Sequence, residues 1–100
     1  MRKIEQNMIR AVVGMQSWQS DNTMVAITPD TKDEPFTPLR GEVFLHGHHI
    51  ATMYYLTGAL SVNKQTLARW PSSTTKSRLR ALGVNVTTRK GVTYLDGVAV

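Results

Sequence analysis

Between residues 2 and 18, the stretch RKIEQNMIRAVVGMQSW places Ile4, Met8, Ala11, Val12 and Met15 at spacings of three and four. That spacing lines one stripe of an amphipathic helix, with Arg2, Glu5, Gln6 and Arg10 elsewhere on the wheel. The methionine-bearing stripe is read as facing a core. Gly14 weakens the last turn and SWQSDNT is polar turn material, so the helix is expected to end near Ser17.

From Thr23 the period changes. TMVAI is β-prone, and the following TPDTKDEPFTP carries three prolines among mixed charges, which neither a helix nor a central strand accommodates. Residues 28–40 are accordingly expected to form a Pro-rich surface loop. Two further β-prone runs follow, Val43 to Leu45 and Ile50 to Tyr54, joined through HGHH, and a third contains Leu60 and Val62 after a turn at Thr57 and Gly58. Short turns between β runs imply antiparallel neighbours and a meander. TLARW reads as an extended lead into Pro71, because a residue before proline is pushed out of the helical region.

Ser72 or Ser73 can cap a helix over roughly Thr74 to Leu82, with Gly83 suited to the left-handed residue beyond its end. Nine residues cannot hold a helix in isolation, where roughly 12 to 15 are already marginal, so this one must pack. At 100° per residue Thr75, Leu79 and Leu82 share a stripe, Lys76 and Arg80 lie on one flank and Arg78 on the other. VNVTTRKGVTYLDG closes the chain as a hairpin turning at Arg89, Lys90 and Gly91, and the final VAV is either a short strand contact or a frayed end. The expected fold is α+β: an N-terminal helix on a small antiparallel meander, then a short C-terminal helix and a β-hairpin, in a single small domain spanning residues 1–100.

Charge adds an asymmetry. Of a net charge of +5, residues 1–30 contribute zero, residues 31–60 contribute −1 and residues 61–100 contribute +6. The basic C-terminal part suggests an anionic partner, against the alternative of a surface that is merely soluble. No run approaches the roughly 18 apolar residues that span a bilayer, and the N-terminal residues carry charges where a signal peptide has its apolar core. No membrane association is expected. The chain has no cysteine, which removes disulfides and thiolate metal sites and suits a reducing cytoplasm.

The helix and hairpin imitate the recognition helix and wing of winged-helix DNA binders, with Arg69, Lys76, Arg78, Arg80, Arg89 and Lys90 as the candidate nucleic-acid-binding residues. What such a motif also requires is a helix just before it; NKQTLARW, with Asn63 as cap, is the candidate, but the Trp-Pro junction favours extended chain. Trp18, Trp70, Tyr54, Tyr55 and Tyr94 are read as core and sheet-face residues in preference to base-stacking platforms. His46 and His48 would share one side of a strand while His49 points away, which leaves two ligands where zinc usually takes three or four, so the imidazoles are read as lining a turn. No phosphate-binding Gly-rich loop, nucleophile elbow or metalloprotease helix is present. Neither a cofactor nor catalysis is expected.

The blocks MRKIEQNM, WQSDNT, VFLHGHHIA and RWPSSTTKSRLRALGV, in that order and spacing, resemble a group of small proteins encoded by tailed bacteriophages. The resemblance covers nearly the whole chain except the Pro-rich stretch. It implies a viral protein made in the cytoplasm of an infected bacterial host, and brings no activity or functional residues with it. Arg80 stands where a small polar residue such as asparagine is expected in relatives, so a role for that charge need not extend to them. The leading expectation is a non-enzymatic accessory protein that binds DNA or RNA through its basic C-terminal surface. The alternatives are a module that inhibits or redirects a host bacterial protein, and a self-associating virion or assembly component.

Overall fold

In the computed structural model, residues 1–29 and 39–100 are described. Helix α1 (Lys3–Val13) precedes five strands, β1 (Trp18–Ser20), β2 (Thr23–Pro29), β3 (Leu39–Leu45), β4 (His48–Tyr54) and β5 (Ala59–Val62). Two short helices, α2 (Lys64–Arg69) and α3 (Ser73–Ala81), lead to β6 (Val86–Arg89), β7 (Val92–Leu95) and β8 (Val98–Ala99). The first five strands form an antiparallel meander in sequence order and the last three a second one. The fold is α+β, as expected from the sequence.

The core-facing side of the larger sheet is set by register. Val25 pairs with Val43, Val43 with Ala51, and Ala51 with Val62, so a row of small and β-branched side chains crosses four strands. Met8, Ala11 and Val12 of α1 are buried with it, joined by Leu67 of α2, Leu79 of α3, and Val86 and Leu95 of the second sheet. Each such side chain removed from water contributes about 1.5–3 kcal/mol when large. A β-bulge on β4 sets Val43 opposite Ala51 while Phe44 faces His49, leaving Ile50 as the extra residue. A bulge places successive side chains toward one side, here Ile50 and Ala51, both buried. His46 and Gly47 have φ of 51° and 79°, a type I′ turn that tightens the β3–β4 hairpin.

Several expectations are corrected. Helix α1 stops at Val13, because Gly14 caps it and Met15 adopts a φ of 53°; Met15 is exposed and leaves the apolar stripe. SWQSDNT is not simply a turn, since Trp18 to Ser20 pair with β2 around a turn at Asp21. Most of TLARW is not extended: Thr66 to Arg69 lie within α2, where the Asn63 side chain accepts from the Thr66 amide. Pro71 constrains only the residue before it, and Trp70 is indeed non-helical, with φ of −132° and ψ of 71°. At the edges of the Pro-rich stretch, Thr28 pairs with Arg40 and Pro29 with Leu39, so the ladder extends into it from both sides. The rest of that loop, residues 30–38, lies outside the described residues.

Helix α3 begins at Ser73, with Ser72 as its cap accepting from the Thr75 amide, and Gly83 beyond its end has φ of 90°. It buries Thr75, Arg78 and Leu79. Such a face has little apolar area, and α3 is held as much by polar contacts as by packing. Arg78 Nη1 lies 2.9 Å from Glu5 Oε2 of α1, Nε donates to Thr23 Oγ1 at 3.0 Å and Nη2 to Asn22 Oδ1 at 3.4 Å. Ser77 Oγ donates to the same Glu5 oxygen at 2.6 Å. Glu5, placed on the polar side of the wheel by the sequence reading, is 3% exposed, and Arg78 is 2% exposed. Burial pushes the Glu5 carboxyl up, but the hydrogen bonds from Ser77 and Arg78, the guanidinium charge, and a hydrogen bond with the Arg2 backbone outweigh it and hold the carboxyl below its ordinary value.

A second polar tie joins α1 to the sheet. The Tyr55 hydroxyl donates to the Val12 carbonyl at the end of α1, which also accepts from the Met15 amide. Gly41 on β3 makes room for it: a Cβ there would sit 2.6 Å from the Tyr55 hydroxyl. Among the described residues, no helix is long and apolar enough to cross a membrane.

Candidate nucleic-acid interface

Six basic residues were expected to form the interface, and the fold separates them into three groups. Arg78 is withdrawn from it: its guanidinium is committed to Glu5, Asn22 and Thr23 inside the protein, where no external phosphate can reach it. Its removal simplifies α3, whose outward arc then holds Ser73, Lys76 and Arg80 at 100° per residue, while Ser77 turns to Glu5.

Lys76, Arg80, Arg89 and Lys90 form the second group. Lys76 Nζ donates to Thr88 Oγ1 at 2.6 Å and Arg80 Nε donates to the Val86 carbonyl at 2.9 Å. Both α3 side chains are thus drawn along β6, at whose far end Arg89 leads into the turn. There Lys90 and Gly91, with φ of 49° and 78°, make a type I′ turn that lifts Arg89 and Lys90 to the tip of the hairpin. Arg80 keeps both terminal guanidinium nitrogens and Lys76 two of its three donors after these bonds. Among the described residues the ion pairs are Arg78 with Glu5 and Arg40 with Glu42, so none of the four is neutralised by a carboxylate there.

Arg69 belongs to a third group at the end of α2. Its guanidinium carbon lies 5.5 Å from the centroid of the Trp70 ring, and the His48 imidazole stacks on that ring at 4.2 Å with 27° between planes. Trp70, read from the sequence as a core or sheet residue, is 44% exposed. It forms one wall of a cavity of about 330 Å³ between the β3–β4 hairpin and the start of α3, whose lining includes Leu45, Ile50, Thr66 and Thr74.

The three histidines do not converge. His46 sits in the turn, His48 lies on Trp70, and His49 shares hydrogen bonds with Thr52 Oγ1 at 2.7 Å and Asn63 Nδ2 at 3.0 Å. Because Asn63 Oδ1 accepts from the Thr66 amide, its Nδ2 must be the donor toward His49. That makes His49 Nδ1 an acceptor and puts the ring proton on Nε2, facing Thr52.

Sequence reasoning missed Glu5, Asn22 and Thr23 as partners of Arg78, and Ser77 as a partner of Glu5. A signal was present: Glu5 stands three and seven residues before Met8 and Val12, hence on their stripe. The blocks MRKIEQNM, WQSDNT and TTKSRL therefore meet in one buried network.

Comparison with curated proteins and with solved structures gives no match. A family profile described as Kyanoviridae Gp96 protein matches residues 1–99. With the match running from the α1 ion-pair partner through the basic hairpin, the chain belongs to this family of phage proteins.

Proposed function

We propose that this phage protein binds nucleic acid through the surface shared by α3 and the β6–β7 hairpin, without catalysis, in the cytoplasm of the infected host. The observation that carries the reading is the set of four cations, Lys76, Arg80, Arg89 and Lys90, held along one helix and its adjoining hairpin without a neutralising carboxylate among the described residues. The order of elements supports it further. Helix α2 ends at Arg69 and α3 starts at Ser73, a three-residue connection of the length found in helix-turn-helix units, and a hairpin follows in the place of a wing. The second helix of such a unit is the one that enters the major groove, and it is α3 that carries Lys76 and Arg80 outward.

The test is a titration of the full chain against labelled duplex and single-stranded DNA and RNA at two salt concentrations. Four phosphate contacts to duplex DNA correspond to a loss of affinity on the order of 100-fold between about 50 and 200 mM salt. Arg89→Gln and Lys90→Asn leave the packing of α3 untouched, and asparagine tolerates the left-handed backbone at position 90. Each is expected to lower the salt slope by about one. Absence of binding at low salt would remove this reading and direct attention to a host protein partner.

A further inference from the structure

Three features stand outside the basic surface: the cavity beside Trp70, the cleft beside Val98 and Val100, and the His49–Asn63 tie. The cleft offers apolar walls with nothing to identify an occupant, and the tie is accounted for by capping of α2. The cavity carries more. We infer that it receives an unpaired base of a nucleic-acid strand, which extends the stack of His48 and Trp70. The inference rests on the preceding reading for the ligand being nucleic acid, and adds that the strand is engaged through an exposed base as well as its phosphates.

Four observations support it. Trp70 is the exposed indole of the chain's two tryptophans, and its ring is already stacked on an imidazole at 4.2 Å, a planar ledge of the kind on which bases stack. The Arg69 guanidinium lies over that ring, 5.5 Å from its centroid, and adds a positive charge to the aromatic ledge. The wall toward Thr66 and Thr74 supplies hydroxyls able to donate to or accept from a base edge, while Leu45 and Ile50 supply apolar contact; no carboxylate is among its described lining residues. Its volume of about 330 Å³ lies at the small end of the range for ligand pockets, suited to one planar group rather than a folded segment.

Position links it to the cations. On the α3 wheel Thr74 falls on one side of the exposed Ser73, and Lys76 and Arg80 fall toward the other. A helix with its side chains is about 10–12 Å across, so a strand crossing the first turns of α3 would meet the cavity and the cations together. Duplex DNA keeps its bases stacked inward and cannot fill the cavity without unstacking one, which costs free energy. Single-stranded or looped nucleic acid has no such cost, so it is the class of ligand this geometry favours.

The experiment compares a single-stranded oligodeoxythymidine with a duplex of equal length, for the full-length chain and for Trp70→Ala, Trp70→Phe and the Arg89→Gln, Lys90→Asn double variant. Single strand is expected to bind more tightly than duplex. Trp70→Ala should weaken single-strand binding roughly 5- to 100-fold and leave duplex binding unchanged, and Trp70→Phe should restore most of it. Trp70 fluorescence, read in Trp18→Phe, should be quenched by the single strand. If both ligands bind alike, indifferent to Trp70→Ala but weakened by the double variant, the inference is overturned and the basic interface stands. Equal weakening of both ligands by Trp70→Ala also overturns it. If neither ligand binds, the interface reading falls with it.

Discussion

Glu5 and Arg78 are 73 residues apart in the chain and meet at 2.9 Å, both almost wholly buried, and this pair fastens α1 to α3. Removing one member of a buried pair leaves the other charged and unpartnered, which typically costs about 3–5 kcal/mol. Glu5→Ala is expected to lose stability in that range in chemical denaturation. Replacing both, as Glu5→Leu with Arg78→Met, removes the charges but strands the Ser77, Asn22 and Thr23 side chains. That double variant should recover part of the loss and not all of it.

The same carboxylate predicts an acid response. Glu5 ionises below its ordinary value of 4.5 in the folded protein, so the unfolded chain takes up the proton first as pH falls. Its contribution is complete above about 4.5 and is lost as pH drops through the folded value. A melting curve recorded from neutral pH down to about pH 3 should show this decline in the natural chain, with a flatter profile for Glu5→Gln from a lower starting stability.

Gly41 and Tyr55 make a second coupled pair. Gly41→Ala would set a methyl 2.6 Å from the Tyr55 hydroxyl and 3.3 Å from Ile27 Cδ1, displacing the ring and breaking its bond to Val12. Overpacking of this kind costs about 1–3 kcal/mol. Tyr55→Phe removes the clashing oxygen, so Gly41→Ala should cost less in that background, and a double-mutant cycle measures the difference. Burial also raises the Tyr55 pKa above 10.0. Stability from the neutral phenol is therefore full below pH 10 and is lost as pH rises through the folded value, a decline that Tyr55→Phe should remove.

Asn63 holds α2 at its start and His49 at the sheet. Asn63→Asp keeps an acceptor for the Thr66 amide but loses the donor to His49, whereas Asn63→Ala loses both. The alanine variant should lose about 1 kcal/mol for the cap and more for the His49 contact, with the aspartate variant between it and the natural chain. Ring-nitrogen NMR shifts check the associated tautomer: His49 should carry its proton on Nε2 in the natural chain.

The sequence made the meander and the final hairpin legible because both depend on short-range signals: alternation in Val43 to Leu45 and in Leu60 to Val62, and glycines at tight turns such as Gly47 and Gly91. It failed where distant residues decide the local state. Lys64 to Arg69 is too short to be helical alone and becomes so through the Asn63 cap and the burial of Leu67. Arg78 looked like a surface cation because its partners come from α1 and from the β1–β2 turn, which no local pattern links to it. The exposed stack at Trp70 was hidden for the same reason: His48 arrives from the start of β4, 22 residues earlier in the chain. Lys76, Arg80, Arg89 and Lys90 were legible as basic residues, but their alignment follows from the bonds to Thr88 and Val86.

The distance along the chain between Glu5 and Arg78 also bears on the order in which the protein folds. Each strand of the two meanders pairs with its neighbour in sequence, so both sheets can assemble through short loop closures, whereas the ion pair must close a loop of 73 residues. We expect the pair to form after the rate-limiting step. Glu5→Gln should then steepen the loss of the native state by accelerating unfolding, while the refolding limb of the chevron stays nearly where it is in the natural chain. In the cell, the lifetime of the folded protein, more than the speed with which it is made, would depend on this one contact.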